Sequence, residues 1–345
     1  MKILVYATSD TSIKYFLEKH FQYFMMDKGH QVFFWPNVNE EVFDICIFTD
    51  FNGDIKNLKT IYPGAKYVLV DPKMNNKKQI INVRLSDLVV VSSIEQFEFA
   101  NQFNKNVKIH YWYRYLENSS IKFLKINNNN DAIEILYHGN KIHLEAIGNT
   151  LKPALERLNR VHNIEFTAIY NINKLGKWTK SVPKNVKINH VQWSEDNYLN
   201  VISNSDIGVI PNFIPESRLQ ISFYLNKLYL LIRFLRTMNI NKNDYKLRFK
   251  HNSNPGRLYE FAITQTPVVA EATLSLAQEV EHGTSGYLVL SESGWYSALN
   301  SLILNQQLRR DFGEKLFTRF GERHNIRNSL QIFESNLQEL VVRDL

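Results

Sequence analysis

Hydrophobic positions along the chain follow two rhythms. Short runs rich in β-branched and aromatic residues, apolar on both faces, predict buried strands at Lys2–Ala7, Gln31–Trp35, Ile45–Thr49, Tyr67–Val70, Leu88–Val91 and Val107–Tyr113. Between several of them apolar residues recur at helical spacing, as in Ile13–Asp27, which stops at Gly29, and Ile94–Phe103. The polar run Asn127-Asn128-Asn129-Asn130-Asp131 reads as a linker, after which the alternation restarts. Strands are expected at Ile133–Tyr137, Ile164–Tyr170, Val186–Val191, Asp206–Pro211, Val268–Ala270 and Gly286–Leu290. Helices are expected at Leu144–His162, Glu195–Asn204, Arg257–Gln265, Trp295–Leu304, Gln307–Arg323 and Ser329–Leu340.

Such alternation predicts parallel sheets with helices on both faces, the doubly wound α/β design. Two successive units would face each other across a cleft at the carboxyl ends of their strands, where open α/β sheets bind ligands. The expected division is residues 1–125, then 126–320, then a C-terminal helical stretch 321–345 that packs back on the first unit. No internal repeat is present.

Bulk properties narrow this picture. A chain of 345 residues exceeds one ordinary core. Its 44% hydrophobic and 13% aromatic content excludes general disorder. No run is apolar for long enough to span a membrane, and MKILVYATSD opens as a strand rather than as a signal peptide. The lone Cys46 rules out a disulfide framework within the chain and suits a reducing, cytoplasmic setting. A net charge of +7 and a pI near 9.2 favour an anionic partner, or serve solubility alone.

One stretch carries candidate chemistry: NPGRLYEFAITQTPVVA, residues 254–270. Pro255 suits a helix start and Gly256 lets another group approach the backbone. The helix then presents Glu260 one turn in and leads into a buried strand. A helix start of this kind offers backbone N–H groups to an anion.

In order and spacing, this stretch and its surroundings resemble the retaining GT-B-fold glycosyltransferases that include bacterial polysaccharide and lipopolysaccharide transferases. The matching pieces are residues 254–270, Val191-Gln192-Trp193, Ser205–Pro211, His282–Val289, the endings Trp295–Leu304 and Gln307–Gly313, and the Asp27-Lys28-Gly29-His30-Gln31-Val32 turn. The resemblance is good over about 186–320 and weak over 1–125. It implies a GT-B fold and transfer of a sugar from a nucleotide-sugar donor to a glycan or lipid-linked acceptor.

It also implies residue roles. Glu260 matches the acid that accepts hydrogen bonds from the nucleotide ribose. Asn252 falls where the family has an earlier acid, so any contact there to the transferred sugar runs through an amide. Amides around Ser253, Asn254, Gly256, Arg257 and Leu258 would face the diphosphate, with Lys250 and the Arg257 guanidinium beside them. His138, Gly139 and Lys141 follow the first strand of the second unit, where the family often carries a basic residue. Gln192 completes the donor side; Asp71 and His110 are expected on the acceptor side. Fixed cations and amides facing a departing phosphate are what this chemistry requires. The chain has no Asp-x-Asp, and His138 and His143 lack a third ligand at metal spacing, so neither a metal nor a cofactor beyond the co-substrate is expected.

Residues 218–250 stand apart. Apolar positions at helical spacing are accompanied by eight Lys and Arg and the single acid Asp244. Three roles remain open: docking on an anionic membrane, packing onto the second unit, or a dimer contact. A non-catalytic sugar-nucleotide or glycan-binding protein of this fold, or a sugar-nucleotide epimerase, are the competing functional readings. Nucleic acid is disfavoured because no recognition motif accompanies the charge.

Overall fold

The computed structural model describes residues 1–7, 12–36, 42–49, 54–74, 76–111, 132–212 and 255–342. The basic stretch 218–250 and the predicted site residues Lys250, Asn252, Ser253 and Asn254 lie outside these described residues.

The first sheet has six parallel strands: β1 (Lys2–Tyr6), β2 (Gln31–Phe34), β3 (Ile45–Thr49), β4 (Lys66–Val70), β5 (Leu88–Val91) and β6 (Val107–Ile109), in the order β2-β1-β3-β4-β5-β6. The second, also six-stranded and parallel, contains β7 (Ile133–His138), β8 (Ile164–Tyr170), β9 (Lys187–Gln192), β10 (Ile207–Ile210), β11 (Val268–Glu271) and β12 (Tyr287–Val289). Its order is β12-β11-β10-β7-β8-β9. Relative to its own start this is the 3-2-1-4-5-6 arrangement of dinucleotide-binding folds, and its strand order reverses between β7 and β10. Strands β3, β5 and β10 are buried at every position, as sheets covered on both faces require.

The helices are α1 (Ser12–Phe16), α2 (Gln22–Asp27), α3 (Ile55–Ile61), α4 (Lys77–Leu85), α5 (Ile94–Ala100), α6 (Lys141–Glu145), α7 (Leu151–Leu158), α8 (Ile172–Leu175), α9 (Tyr198–Asn204), α10 (Gly256–Ile263), α11 (Leu274–Ala277), α12 (Glu292–Leu304), α13 (Gln306–Arg323) and α14 (Ile326–Val342). A π turn at Leu17–Phe21 joins α1 to α2, so the expected first helix runs through with a widened middle. The expected long helix 144–162 is instead broken into α6, a 3₁₀ turn at Ile147–Asn149, and α7. Pro153 explains the break, because its ring cannot accept a preceding helical turn and is tolerated only in the first turn of α7. Among the described residues no helix is long and apolar enough to cross a membrane.

Two features of the C-terminal helices fix the assembly. Helix α13 packs on α10, and at Gly313 a Cβ would fall 2.0 Å from the Gln265 carbonyl oxygen, so only glycine permits that approach. Helix α14 lies against the first unit: Phe333 meets Phe21 at 5.3 Å between ring centroids, and Glu334 lies 3.1 Å from His30 Nε2. His110 is part of this seam. Its ring is 5.8 Å from Phe16 and 5.2 Å from Phe333, and its Nε2 is 3.2 Å from Ser329 Oγ. His110, expected on the acceptor side, is enclosed between β6 and α14. The reason is its aromatic surroundings, which the last helix closes.

At the carboxyl ends of the two sheets, the first turn of α5 meets the start of α11. Glu95 Oε1 accepts from the Ser275 N–H at 3.0 Å, and both residues are buried.

Two predictions follow from these contacts. Gly313→Ala should lower the free energy of urea unfolding by about 2–3 kcal/mol through overpacking; a change near zero would show that α13 can shift away from Gln265. Burial pushes the His110 imidazole down from 6.5 to about 3. The unfolded chain then binds a proton that the native state refuses, so this contribution is complete above pH 6.5 and is lost as pH falls toward 3. Stability should drop by about 2 kcal/mol between pH 7 and pH 5 from this group, and His110→Gln should remove that part of the slope.

Candidate functional site

The reversal between β7 and β10 opens a crevice at the carboxyl ends of these strands. Its walls are His138-Gly139 on one side and Pro211-Asn212 on the other, and the first turns of α10 border it. Pro255 starts α10 without a side-chain cap. Arg257 and Glu260, three residues apart, share a face of the helix and both turn into the crevice.

Arg257 spans it. Its guanidinium donates to the Pro211 carbonyl at 3.0 Å and to Asn212 Oδ1 at 2.8 Å, and lies 5.9 Å from the Tyr137 ring centroid. Gly139 makes room for it: with φ at 139°, a Cβ there would stand 2.8 Å from both Arg257 Cδ and the Tyr137 hydroxyl. Asn212 is held from the far side by Glu271, a buried acid ending β11, whose Oε2 accepts the Asn212 N–H at 2.6 Å.

Glu260 sits inward, its side chain 15% exposed and its Oε2 3.5 Å from His138 Nε2. That oxygen is buried and makes no hydrogen bond among the described residues. Such an acceptor is costly unless a donor reaches it. The His138 ring is in turn fixed by Phe261 at 5.5 Å and Tyr198 at 6.4 Å, with the half-exposed Trp193 beyond Tyr198 at 6.0 Å. Anion-binding charge, a carboxylate acceptor and an aromatic wall therefore converge on one crevice.

The structure thus brings together His138, Gly139, Gly256, Arg257 and Glu260. Leu258 belongs to the core: its side chain is fully buried and its N–H is taken by the Pro255 carbonyl. Gln192 ends β9, two strands and about 10 Å from β7. Its amide is used by the Asn173 N–H and the Trp193 carbonyl, so it does not join the crevice. Lys141 turns its amine to the Leu175 carbonyl and lies 3.9 Å from Glu145. Asp71, in the first sheet, is buried at the end of β4 with a left-handed backbone (φ 47°), and its carboxylate binds Lys73 and the Gln96 amide.

Asn212 and Glu271 are the residues that sequence reasoning missed. The one available signal was a polar residue closing an apolar run: Asn212 after Val209-Ile210-Pro211, and Glu271 after Val268-Val269-Ala270. Among the described residues no group of three or more His, Cys, Asp or Glu is placed to hold a metal ion.

No protein-family model and no curated protein matches the sequence. Solved structures do match. Sucrose-phosphate synthase from Thermosynechococcus elongatus aligns with a TM-score of 0.63 at 10% identity, covering 99% of this chain and 100% of that one. HepE from Anabaena, in complex with UDP and glucose, aligns at 0.61 and 13% identity over 98% of this chain and 100% of its own. TarM from S. aureus, in complex with fondaparinux, an α-GlcNAc-glycerol and UDP, aligns at 0.57 and 14% identity; the match covers 85% of this chain but only 55% of TarM. At such identities the likeness speaks for architecture. Two six-stranded, doubly wound units joined at the carboxyl ends of their sheets give this chain the GT-B fold.

Proposed function

We propose that this chain is a glycosyltransferase that moves a sugar from a nucleoside diphosphate to a glycan or lipid-linked acceptor in cell-surface polysaccharide synthesis. The observation that carries this reading is the Glu260 carboxylate. It lies one turn inside α10 at the strand-order reversal, with a buried oxygen that lacks a hydrogen-bond donor. A pair of ribose hydroxyls supplies such donors. The diphosphate then falls toward the start of α10 and Arg257, where positive charge and helix N–H groups favour an anion. The UDP held by HepE and by TarM supports a uridine nucleotide as the first donor to try.

In the proposed reaction the bond between sugar C1 and the phosphate oxygen breaks, and C1 bonds to the acceptor oxygen on the same face. The acceptor's proton passes to the departing diphosphate, so the products are the nucleoside diphosphate and the lengthened glycan. Arg257, Lys250, Lys141 once released from the Leu175 carbonyl, and the N–H groups of Ser253, Asn254, Gly256 and Arg257 stabilise the growing phosphate charge, with Asn252 on the transferred sugar. On this reading the protein supplies the charge a metal would otherwise supply. Arg257 would exchange the Asn212 side chain for a phosphate oxygen. The acceptor enters from the first unit near Asp71, and closure of the cleft keeps water from the activated sugar. The work takes place on the cytoplasmic side of a membrane, with 218–250 as a further contact to anionic lipid.

A thermal-shift screen of UDP-, GDP-, ADP- and CDP-sugars should find one that raises the melting temperature. Glu260→Ala should weaken its binding roughly 10- to 100-fold, the worth of a charge-assisted hydrogen bond. Unchanged affinity would remove Glu260 from the site. Slow release of nucleoside diphosphate without acceptor marks a transferase, whereas tight binding without turnover marks a binding protein.

A further inference from the structure

From Phe166 to Ser194 the chain contains no Asp or Glu, yet Lys174, Lys177, Lys180, Lys184 and Lys187 fall within that span. Lys174 lies in α8, Lys177, Lys180 and Lys184 on the connection from α8 to β9, and Lys187 is the first residue of β9; all five are exposed. Lys187 pairs with Glu165 at 2.8 Å. The ammonium groups of the other four have no ion-pair or hydrogen-bond partner among the described residues.

This connection is built in rather than loose. Trp178 is buried against Phe166, with its N–H on the Tyr170 hydroxyl at 2.9 Å and its indole N–H on the Lys180 carbonyl at 2.5 Å. Ser181 Oγ donates to the Glu145 carbonyl at 2.9 Å, and the Asn159 side-chain amide donates to the Asn185 carbonyl. Ser181 and Asn185 both take left-handed backbone, at φ 63° and 60°. Holding two non-glycine residues there is unfavourable, and the surrounding packing enforces it.

The path therefore presents like charges at fixed places, where they repel. The Lys177 charge reaches the partly buried His190, whose imidazole is lowered from its ordinary value by burial first and by that charge second. Neighbouring carboxylates offer little relief. Glu145 lies beside Lys141, Glu156 takes the Lys184 backbone N–H and lies beside Lys152, and Glu165 takes Lys187 and Asn189. The ridge starts beside the candidate site, where the Leu175 carbonyl receives the Lys141 amine. It ends on β9, the open edge of the second sheet.

We propose that the lysine ridge 174–187 is an electrostatic docking surface for an anionic phospholipid bilayer. The chemistry selects a surface read by charge density. All five cations are lysines, compact point charges on flexible stems, with no arginine fork to grip single phosphates in a set geometry. Of the apolar residues of the ridge, Trp178, Pro183 and Val186 are buried and Leu175 and Val182 are partly so, which leaves no fully exposed apolar side chain here to insert into lipid or stack on a base. Near an anionic leaflet each such lysine raises partitioning roughly fivefold, and salt screens the effect. Such docking would hold the mouth of the crevice against the surface that carries a lipid-linked acceptor; that purpose, though not the docking itself, rests on the reading above.

The test is flotation of the full chain with phosphatidylcholine vesicles, with and without phosphatidylglycerol, at low and high salt. The chain should float only with phosphatidylglycerol and should be released by salt. The combined variant Lys174→Gln, Lys177→Gln, Lys180→Gln, Lys184→Gln should bind at least roughly tenfold more weakly. Its melting temperature and its UDP-induced shift should match the unaltered chain. A second variant, Arg218→Gln, Lys227→Gln, Arg233→Gln, Arg236→Gln, separates the ridge from 218–250 and should retain salt-sensitive flotation. Flotation indifferent to phosphatidylglycerol, or unchanged in the ridge variant, overturns the proposal. So does retention on inorganic polyphosphate without any vesicle binding, which would assign the ridge to a polyanionic chain. A nucleotide screen with no hit would sink the transferase reading and leave the vesicle result standing.

Discussion

The candidate site depends on how one helix is seated in the crevice between β7 and β10. Arg257 ties α10 to the end of β10 through Pro211 and Asn212, and Glu260 brings it within 3.5 Å of His138 at the end of β7. Two glycines make the space for this seating. Gly139 leaves room for the Arg257 side chain, and Gly313 lets α13 press against the residue that follows α10. Close packing at both ends removes the freedom of the helix to slide, which fixes the two charged side chains without a dedicated scaffold for either.

Charge is distributed within this frame in a way that leaves work undone. Arg257 has protein acceptors and Glu271 has the Asn212 N–H, so the cationic side of the crevice is internally balanced. The Glu260 Oε2 is not. A buried acceptor without a donor is a common mark of a site prepared for a partner, because the desolvation cost is recovered only when that partner arrives. The imbalance points to a hydroxyl-bearing ligand on the Glu260 side and an anionic group on the Arg257 side.

The two units are bound together by different means at the two ends of the assembly. Apolar and aromatic contacts dominate where α14 returns to the first unit, with Phe333 against Phe21 and His110. At the carboxyl ends of the sheets the link is polar, from Glu95 to the Ser275 N–H. An apolar seam is non-directional and tolerates small rotations, whereas a buried hydrogen bond favours one relative orientation. This division suits a molecule whose units stay joined while the space between their ligand-facing edges changes.

By itself the amino-acid order determined the elements whose signal is local. Every predicted strand among the described residues is present within a few residues of its expected ends, because a strand buried on both faces must be apolar throughout. The helix start at Gly256 and the inward acid at Glu260 were readable for the same reason: both follow from a few adjacent residues. Tertiary structure alone decided the rest. Pro153 marks a break that the apolar spacing of 144–162 conceals. The enclosure of His110 by Phe333, more than two hundred positions later, is announced by nothing near it in sequence. Asn212 was brought to Arg257, and Glu271 to the Asn212 N–H, through the pairing of β10 with β11, and Gln192 was carried away from the crevice by the interposed β8. Local propensity is written in neighbouring residues, but which strand ends lie side by side depends on sheet order, a property of the whole chain's packing that no short stretch contains.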